Sequence, residues 1–224
     1  MTSRKPIIAI DGPVGAGKST TARKVAQELG FVYVDTGAMY RAVTVDVLEH
    51  YVNPEDERNV CKIAASSQVE LLLQDGDQHT LLNGVDVSER IRDRDVTGAV
   101  SAVSAMRSVR DKMTLLQRQT GRNGGIVMEG RDIGTVVFPD AEFKIYLDAS
   151  IEKRSERRQK ELSERGVWVD VKDLVREIKE RDRLNTERAI APLKKAKNAI
   201  LIDTSNMTFD EQVSAIVSLV RGDT

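Results

Sequence analysis

The stretch from Pro6 to Gly30 leaves this chain few folds to choose from. Pro6-Ile7-Ile8-Ala9-Ile10 is short and almost wholly apolar, the pattern of a strand covered on both faces inside a parallel sheet. It runs into Gly12-Pro13-Val14-Gly15-Ala16-Gly17-Lys18-Ser19, which fits G-x-x-x-x-G-K-[ST] at every fixed position. A helix follows from about Lys18, with Ala22, Val25, Ala26 and Leu29 at i, i+3, i+4 and i+7 and Gly30 as its stop. The glycines permit backbone angles and close approaches that a Cβ would obstruct. Successive N–H groups then face one concavity at the positive end of the following helix, which is an anion cradle.

Each part of the cradle has a chemical use. Asp11 and residues Gly12, Pro13, Val14, Gly15, Ala16 and Gly17 would wrap the phosphates of ATP. Lys18 would bring a full charge to the β- and γ-phosphates, and the Ser19 hydroxyl would ligate Mg²⁺. By composition alone such a match arises in roughly one chain in a hundred of this length, and the flanking strand and helix lower that further. Guanine-reading switches share the cradle but carry N-K-x-D, and no such tetrapeptide occurs here.

The alternation continues. Phe31-Val32-Tyr33-Val34 predicts a second buried strand, and Asp35-Thr36 caps a helix running to about His50. Alternating strand and helix predicts a parallel sheet with helices on its faces. The middle departs from this rhythm. Val69–Leu73, Thr80–Leu82 and Val85–Val87 are short strand candidates, separated by the turn signals Asp75-Gly76-Asp77 and Asn83-Gly84. They predict a small antiparallel insert over roughly 61–95. Helical sequence resumes through Gln119. Gly125–Met128 and Phe143–Leu147 predict central strands, and Ile151–Arg165 and Val171–Leu184 two highly charged helices joined near Gly166. Ala199–Ile202 is a last strand and Phe209–Val220 a closing helix.

Composition narrows the function. Thirty-four basic residues stand against thirty-five acidic ones, for a net charge of −1. No single-sign field then draws the protein to nucleic acid or to an anionic membrane, so a bound anion must be held locally. The single cysteine, Cys61, excludes an intramolecular disulfide, and with two histidines leaves little for a structural zinc site. No run of about 18 apolar residues occurs, and Met1-Thr2-Ser3-Arg4-Lys5-Pro6 lacks the apolar core of a signal peptide. The expected location is the cytoplasm and the expected state a monomer.

A kinase needs a second substrate, and the arginines point to an anionic one. A phosphate monoester has a second pKa of about 6, so its oxygen is already anionic near neutrality and no general base is required. The obstacle is repulsion between two polyanions, about 4 kcal/mol per like-charge pair at roughly 4 Å and an effective dielectric of about 20. Fixed cations must offset it. Arg41 lies in the first turns of the helix after Thr36, beside Tyr40. Arg131 and Asp132 follow a strand at the carboxyl edge, where open α/β sheets bind ligands. Arg181, Asn185 and Arg188 fall at i, i+4 and i+7, one face if the helix persists that far.

Four stretches together resemble the bacterial cytidylate kinase family. They are Ile10-Asp11-Gly12-Pro13 through Gly17-Lys18-Ser19, Asp35-Thr36-Gly37-Ala38-Met39-Tyr40-Arg41, Gly130-Arg131-Asp132-Ile133-Gly134-Thr135, and Ala191-Pro192-Leu193. The resemblance spans about residues 5 to 220. Adenylate kinase, the nearest competitor, would carry Gly-Phe-Pro-Arg, which is absent. The resemblance implies an α/β fold: a parallel-sheet P-loop NTPase of the nucleoside monophosphate kinase type, with an antiparallel-strand insert and a helical lid. It implies one kinase domain over 1–224, with core 5–60, 96–150 and 186–224, an acceptor-binding insert about 61–95 and a lid about 151–185.

It also implies roles. Asp132 would accept from the exocyclic amine of cytosine, and Arg110, a donor only, would suit N3 and O2 of cytosine but not the N3–H of uracil. Ser101 would join them at the base. Thr36, Arg41, Arg131 and Arg188 would hold the acceptor phosphate, Tyr40 would line the site, and Arg181 and Asn185 would contact the ribose. Lys18, Arg131 and Arg188 would act on the transferring group. Arg154, Arg157 and Arg158 share one face of the lid and would reach ATP phosphates when the lid excludes water. Two positions depart from the family: Asn185 and Glu129 stand where Asp is usual. The implied reaction is ATP with CMP or dCMP, Mg²⁺ assisting. Rival readings are a kinase with another acceptor, such as UMP, AMP or a small metabolite, and a regulatory or assembly ATPase on the same cradle.

Overall fold

A computed structural model describes residues 4–74 and 77–222. Met1–Ser3 and the expected turn residues Asp75 and Gly76 lie outside the described residues. The chain forms two compact units: one holds the chain up to Tyr33 and from Gly124 onward, the other Val34–Asn123.

The first unit is built on a five-stranded sheet. Its strands are β1 (Ile7–Asp11), β2 (Val32–Asp35, the strand in which the first unit passes into the second), β6 (Ile126–Gly130), β7 (Phe143–Asp148) and β8 (Ile200–Asp203), in the order β2-β6-β1-β7-β8. β1 runs parallel to β6 and β7, and β7 parallel to β8. This is the predicted parallel sheet, and β1 and β6 are buried throughout, as the apolar runs Ile7–Ile10 and Ile126–Met128 require. Its helices are α1 (Lys18–Leu29), α6 (Ile151–Glu164), α7 (Val171–Glu187) and α8 (Phe209–Arg221). Ile8, Ile10, Val25, Val127, Ile145, Leu147 and Ile216 form the core. Gly30 ends α1 in the left-handed conformation, its N–H returning to the last turn.

The second unit contains α2 (Thr36–Glu49), α3 (Glu57–Ser66), α4 (Arg94–Ala105) and α5 (Arg107–Gly121), with a separate antiparallel sheet of β3 (Val69–Gln74), β4 (Asp77–Leu82) and β5 (Val85–Asp86). A short 3₁₀ turn, Arg90–Arg92, precedes α4. Val43, Val47, Val60, Ile91, Val96, Val103, Val109 and Met113 are its core. Asp35 is the cap of α2, its side chain accepting from the Ala38 N–H. The structure adds two elements and one helix break to what the sequence predicts. Residues 61–66, expected to open the strand-bearing insert, continue a helix begun at Glu57. The helical run from 94 to 121 is broken at Met106, which is extended (ψ 134°). A five-residue π-helix, Ile133–Val137, follows β6.

Candidate active site

In the first unit the glycine turn closes on its neighbours as the motif demands. A Cβ at Gly12 would lie 2.0 Å from the Leu147 carbonyl oxygen, and Gly15 is left-handed (φ 74°) with Arg154 packed against it. Lys18 opens α1, is buried, and donates from Nζ to the Pro13 carbonyl at 2.7 Å. Burial lowers its pKa, Arg131 lowers it further, and Glu129, Asp11 and Asp182 oppose them. Arg131 therefore lies within electrostatic reach of Lys18. It also acts on Arg181, whose pKa falls to about 10 through burial first, then Arg131, with Arg158 adding to it and Glu177 and Asp182 opposing. Lys18, Arg131, Arg181 and Arg158 thus form a chain of mutually repelling cations. Such a cluster is stabilised by an anion of several charges.

Around this cluster the backbone is held by side chains distant in sequence. Asp11, 4 % exposed, accepts from the N–H groups of Ile133 and Gly134, each at 2.8 Å. Burial raises its pKa to about 6, the two N–H groups and Lys18 pulling down and Asp132 pushing up. Arg188 lies one residue past the end of α7, in extended conformation, and so leaves the helical face that spacing predicted. Its Nε donates to the Ala191 carbonyl at 2.7 Å, and its Nη2 lies 3.5 Å from an Asp132 carboxylate oxygen. Ala191 is left-handed (φ 48°), a conformation that costs a non-glycine residue roughly 1–2 kcal/mol and turns its carbonyl to Arg188. Asn185 is buried on the last turns of α7, and its amide donates to the Arg181 carbonyl at 2.6 Å. Glu129 accepts from the Tyr33 hydroxyl at 2.6 Å.

The three charged-helix arginines separate. Arg154 is buried, donating to the Ala149 carbonyl at 2.9 Å, the Val14 carbonyl at 3.1 Å and the Asp182 carboxylate. Asp182 also accepts from the Val14 N–H at 3.1 Å, so this pair grips both polar groups of one cradle residue. Arg157 donates to the hydroxyl and carbonyl oxygens of Thr204 after β8, at 3.0 and 2.7 Å. Arg158 alone joins the cation cluster, beside Glu161 at 2.8 Å.

The second unit holds the remaining predicted residues. Thr36 is buried at the first position of α2. Arg41 donates from Nη1 to the Thr97 hydroxyl at 2.9 Å and the Ile91 carbonyl at 3.1 Å. Arg110 is 2 % exposed, stacks its guanidinium 5.1 Å from the centre of the Tyr40 ring and donates to the Ser104 carbonyl at 3.1 Å. Thr97, Ser101 and Ser104 follow one another along a face of α4, with Ser101 between the two arginine anchors. At 1.5 Å per residue, the Thr97 and Ser104 positions are about 10 Å apart along the helix. That span suits a small molecule with an anionic end and a flat polar end.

Comparison with known proteins decides between the candidate families. The sequence model for cytidylate kinase matches residues 8–222. The chain belongs to the cytidylate kinase family. The cytidylate kinase of Pelotomaculum thermopropionicum is 50 % identical over 216 residues, covering 96 % of each chain. That of Lactobacillus gasseri is 45 % identical over 214 residues, covering 96 % of this chain and 93 % of the other. The fold alone is shared with the shikimate kinase of Acinetobacter baumannii, at 14 % identity and a TM-score of 0.50 over 98 % of this chain and 95 % of that one.

As a member of the cytidylate kinase family the protein is a phosphotransferase with a P-loop. Among the residues that sequence reasoning passed over, Asp182 grips Val14, Thr97 holds Arg41 and Thr204 holds Arg157. Asp182 sits between Arg181 and Arg183 in a run of charges, and nothing local distinguishes it from its neighbours. Thr97 carried a usable signal: it lies one turn before Ser101 on the same helical face. Among the described residues no helix is long and apolar enough to cross a membrane.

Proposed function

We propose that the protein transfers the γ-phosphoryl group of ATP to CMP, and also to dCMP, producing the nucleoside diphosphate and ADP. The observation that carries this reading is the glycine turn with Lys18 buried at its mouth, its Nζ on the Pro13 carbonyl, and Arg131 close enough to act on both Lys18 and Arg181. Two polyanions would offset the repulsion that remains among these cations. The glycine turn with Lys18 takes the β- and γ-phosphates of ATP. Arg131 and Arg188 take the acceptor phosphate, whose ionised oxygen attacks in line. Lys18, Arg131 and Arg188, with Arg158, neutralise charge that spreads over the transferring group. In the second unit Arg110, held against Tyr40, presents donors to N3 and O2 of cytosine, with Ser101 alongside. For the first unit, taken by itself, the same reading makes Asp132 the acceptor for an exocyclic amine and gives Asn185 and Arg181 the sugar.

Mg²⁺ fits the residues present. Ser19 offers an exposed hydroxyl at the head of α1, and the described residues contain no group of three or more His, Cys, Asp or Glu arranged to hold a metal. A hard cation that keeps waters and phosphate oxygens as its main ligands suits that setting. Bound there, it would offset charge on the phosphates being transferred.

The test is a steady-state panel of CMP, dCMP, UMP and AMP with ATP. CMP should exceed UMP in kcat/KM by at least about tenfold, the range expected when a donor set faces the wrong base edge. Equal values would refute the base-reading argument. ATP turnover indifferent to every monophosphate would make the protein an ATPase instead.

A further inference from the structure

We infer that Asp11 is a positioning residue for the acceptor side of the site, holding the two N–H groups that follow Arg131 and Asp132 so that Asp132 does not cap its own helix. The inference rests on the reading of CMP as acceptor.

The geometry is specific. In the parallel pairing of β1 with β6, Asp11 sits opposite Gly130, the last residue before the arginine–aspartate pair. Its Oδ1 accepts from the Ile133 N–H and its Oδ2 from the Gly134 N–H, both at 2.8 Å, and the carboxylate is buried. Those two N–H groups open the π-helix Ile133–Val137, for which Asp132 is the residue at the N-cap. Aspartate at that position ordinarily turns its side chain back onto the second or third N–H of its helix, here Gly134 or Thr135. Here Asp132 makes no capping bond. Its carboxylate lies instead 3.5 Å from Arg188 Nη2. Asp11, from another strand, occupies the Gly134 N–H that Asp132 would otherwise cap, and the Asp132 carboxylate lies on the arginine side. Asp11 is the residue before the glycine turn, so sequence position alone suggests an ATP contact. Both of its oxygens are engaged with the loop that carries Arg131 and Asp132.

Asp11→Asn tests this, because an amide can accept from only one of the two N–H groups and presents its own N–H to the other. Asp132 then gains a reason to fall back onto its helix. The expected result is a rise in KM for CMP of at least about tenfold and a fall in the CMP-to-UMP preference of at least about fivefold. The Kd for a non-hydrolysable ATP analogue, by titration, should stay within about twofold. Weakened ATP-analogue binding with KM for CMP unchanged would overturn the inference. So would equal losses for CMP and UMP. Should the variant fail to fold, the wild-type protein decides by NMR. The Ile133 and Gly134 amide signals should shift on adding CMP alone, and a response only to the ATP analogue would overturn the inference. If the wild-type protein phosphorylates no CMP, the functional reading falls and takes this inference with it. Normal wild-type turnover with a contrary variant refutes the inference alone.

Discussion

Replacing Asp182 tests whether the cradle is held from outside its own segment. Asp182 and Arg154 have side chains only 19 % and 11 % exposed. Asp182 accepts from the Val14 N–H, and Arg154 donates to the Val14 carbonyl. Removing one partner of a largely buried pair costs about 3–5 kcal/mol. Arg154 keeps its acceptors at Ala149 and Val14, which places Asp182→Ala near the lower end. A stranded Val14 N–H adds about 1 kcal/mol. The total of about 4 kcal/mol corresponds to a fall in Tm on the order of 10 °C for a chain of this size. Asp182→Asn keeps an acceptor for Val14 and loses the charge pair, so it should recover only the Val14 share and cost about 3 kcal/mol. Chemical denaturation followed by circular dichroism, with m-values compared, measures both. A loss below about 1 kcal/mol for Asp182→Ala would mean that the pair is a solvated surface contact. Equal losses for the two variants would assign nothing to the Val14 bond.

Lys18→Ala should lower kcat by about a thousandfold or more while the far-ultraviolet circular dichroism is unchanged, since Lys18 acts on the transferring phosphates; unaltered turnover would remove it from the mechanism. The raised pKa of Asp11, about 6 against an unfolded value of 3.8, means that the native state binds this proton more tightly. Its contribution to stability, about 3 kcal/mol, is present below pH 3.8 and is lost as pH rises through about 6. The stability difference between wild type and Asp11→Asn, measured by urea denaturation from pH 4 to 7, should follow that window. A flat difference would contradict the burial argument. Asn185→Asp puts a carboxylate where the amide now donates to the Arg181 carbonyl. It should cost about 1–2 kcal/mol and change the CMP-to-dCMP ratio of kcat/KM, and an unchanged ratio would exclude sugar contact at that position.

What the sequence discloses and what it withholds divide along distance. The glycine turn, α1 with its Gly30 stop and the Asp35 cap of α2 depend on neighbours within a few residues, and the structure has them where spacing predicted. So do β3 to β5, whose pairing follows from Asn83-Gly84 and alternating strands. The helix at Glu57–Ser66 had local signals, an Asp56 cap and Val60 and Ala64 one turn apart, which the nearby strand pattern obscured. The π-helix after β6 is different: it is fastened by Asp11, more than 120 positions away in sequence. Asp182 meets Val14 across 168 positions. Arg188 leaves the face predicted for it because α7 ends at Glu187, and its place is set by the left-handed Ala191 instead. The break at Met106 lets the guanidinium of Arg110 reach back to Ser104, an arrangement that continuous helical periodicity conceals.

The most direct test of the account is binding of a bisubstrate molecule, cytidine and adenosine joined through a chain of five phosphates. If the cations around Lys18 and Arg131 serve two nucleotides at once, linking the two halves makes the second binding event intramolecular. The Kd should then fall at least about a hundredfold below that of ATP, and Arg131→Ala should abolish most of the gain. A bisubstrate Kd equal to that of ATP alone would contradict the claim that the two nucleotides meet at this cluster.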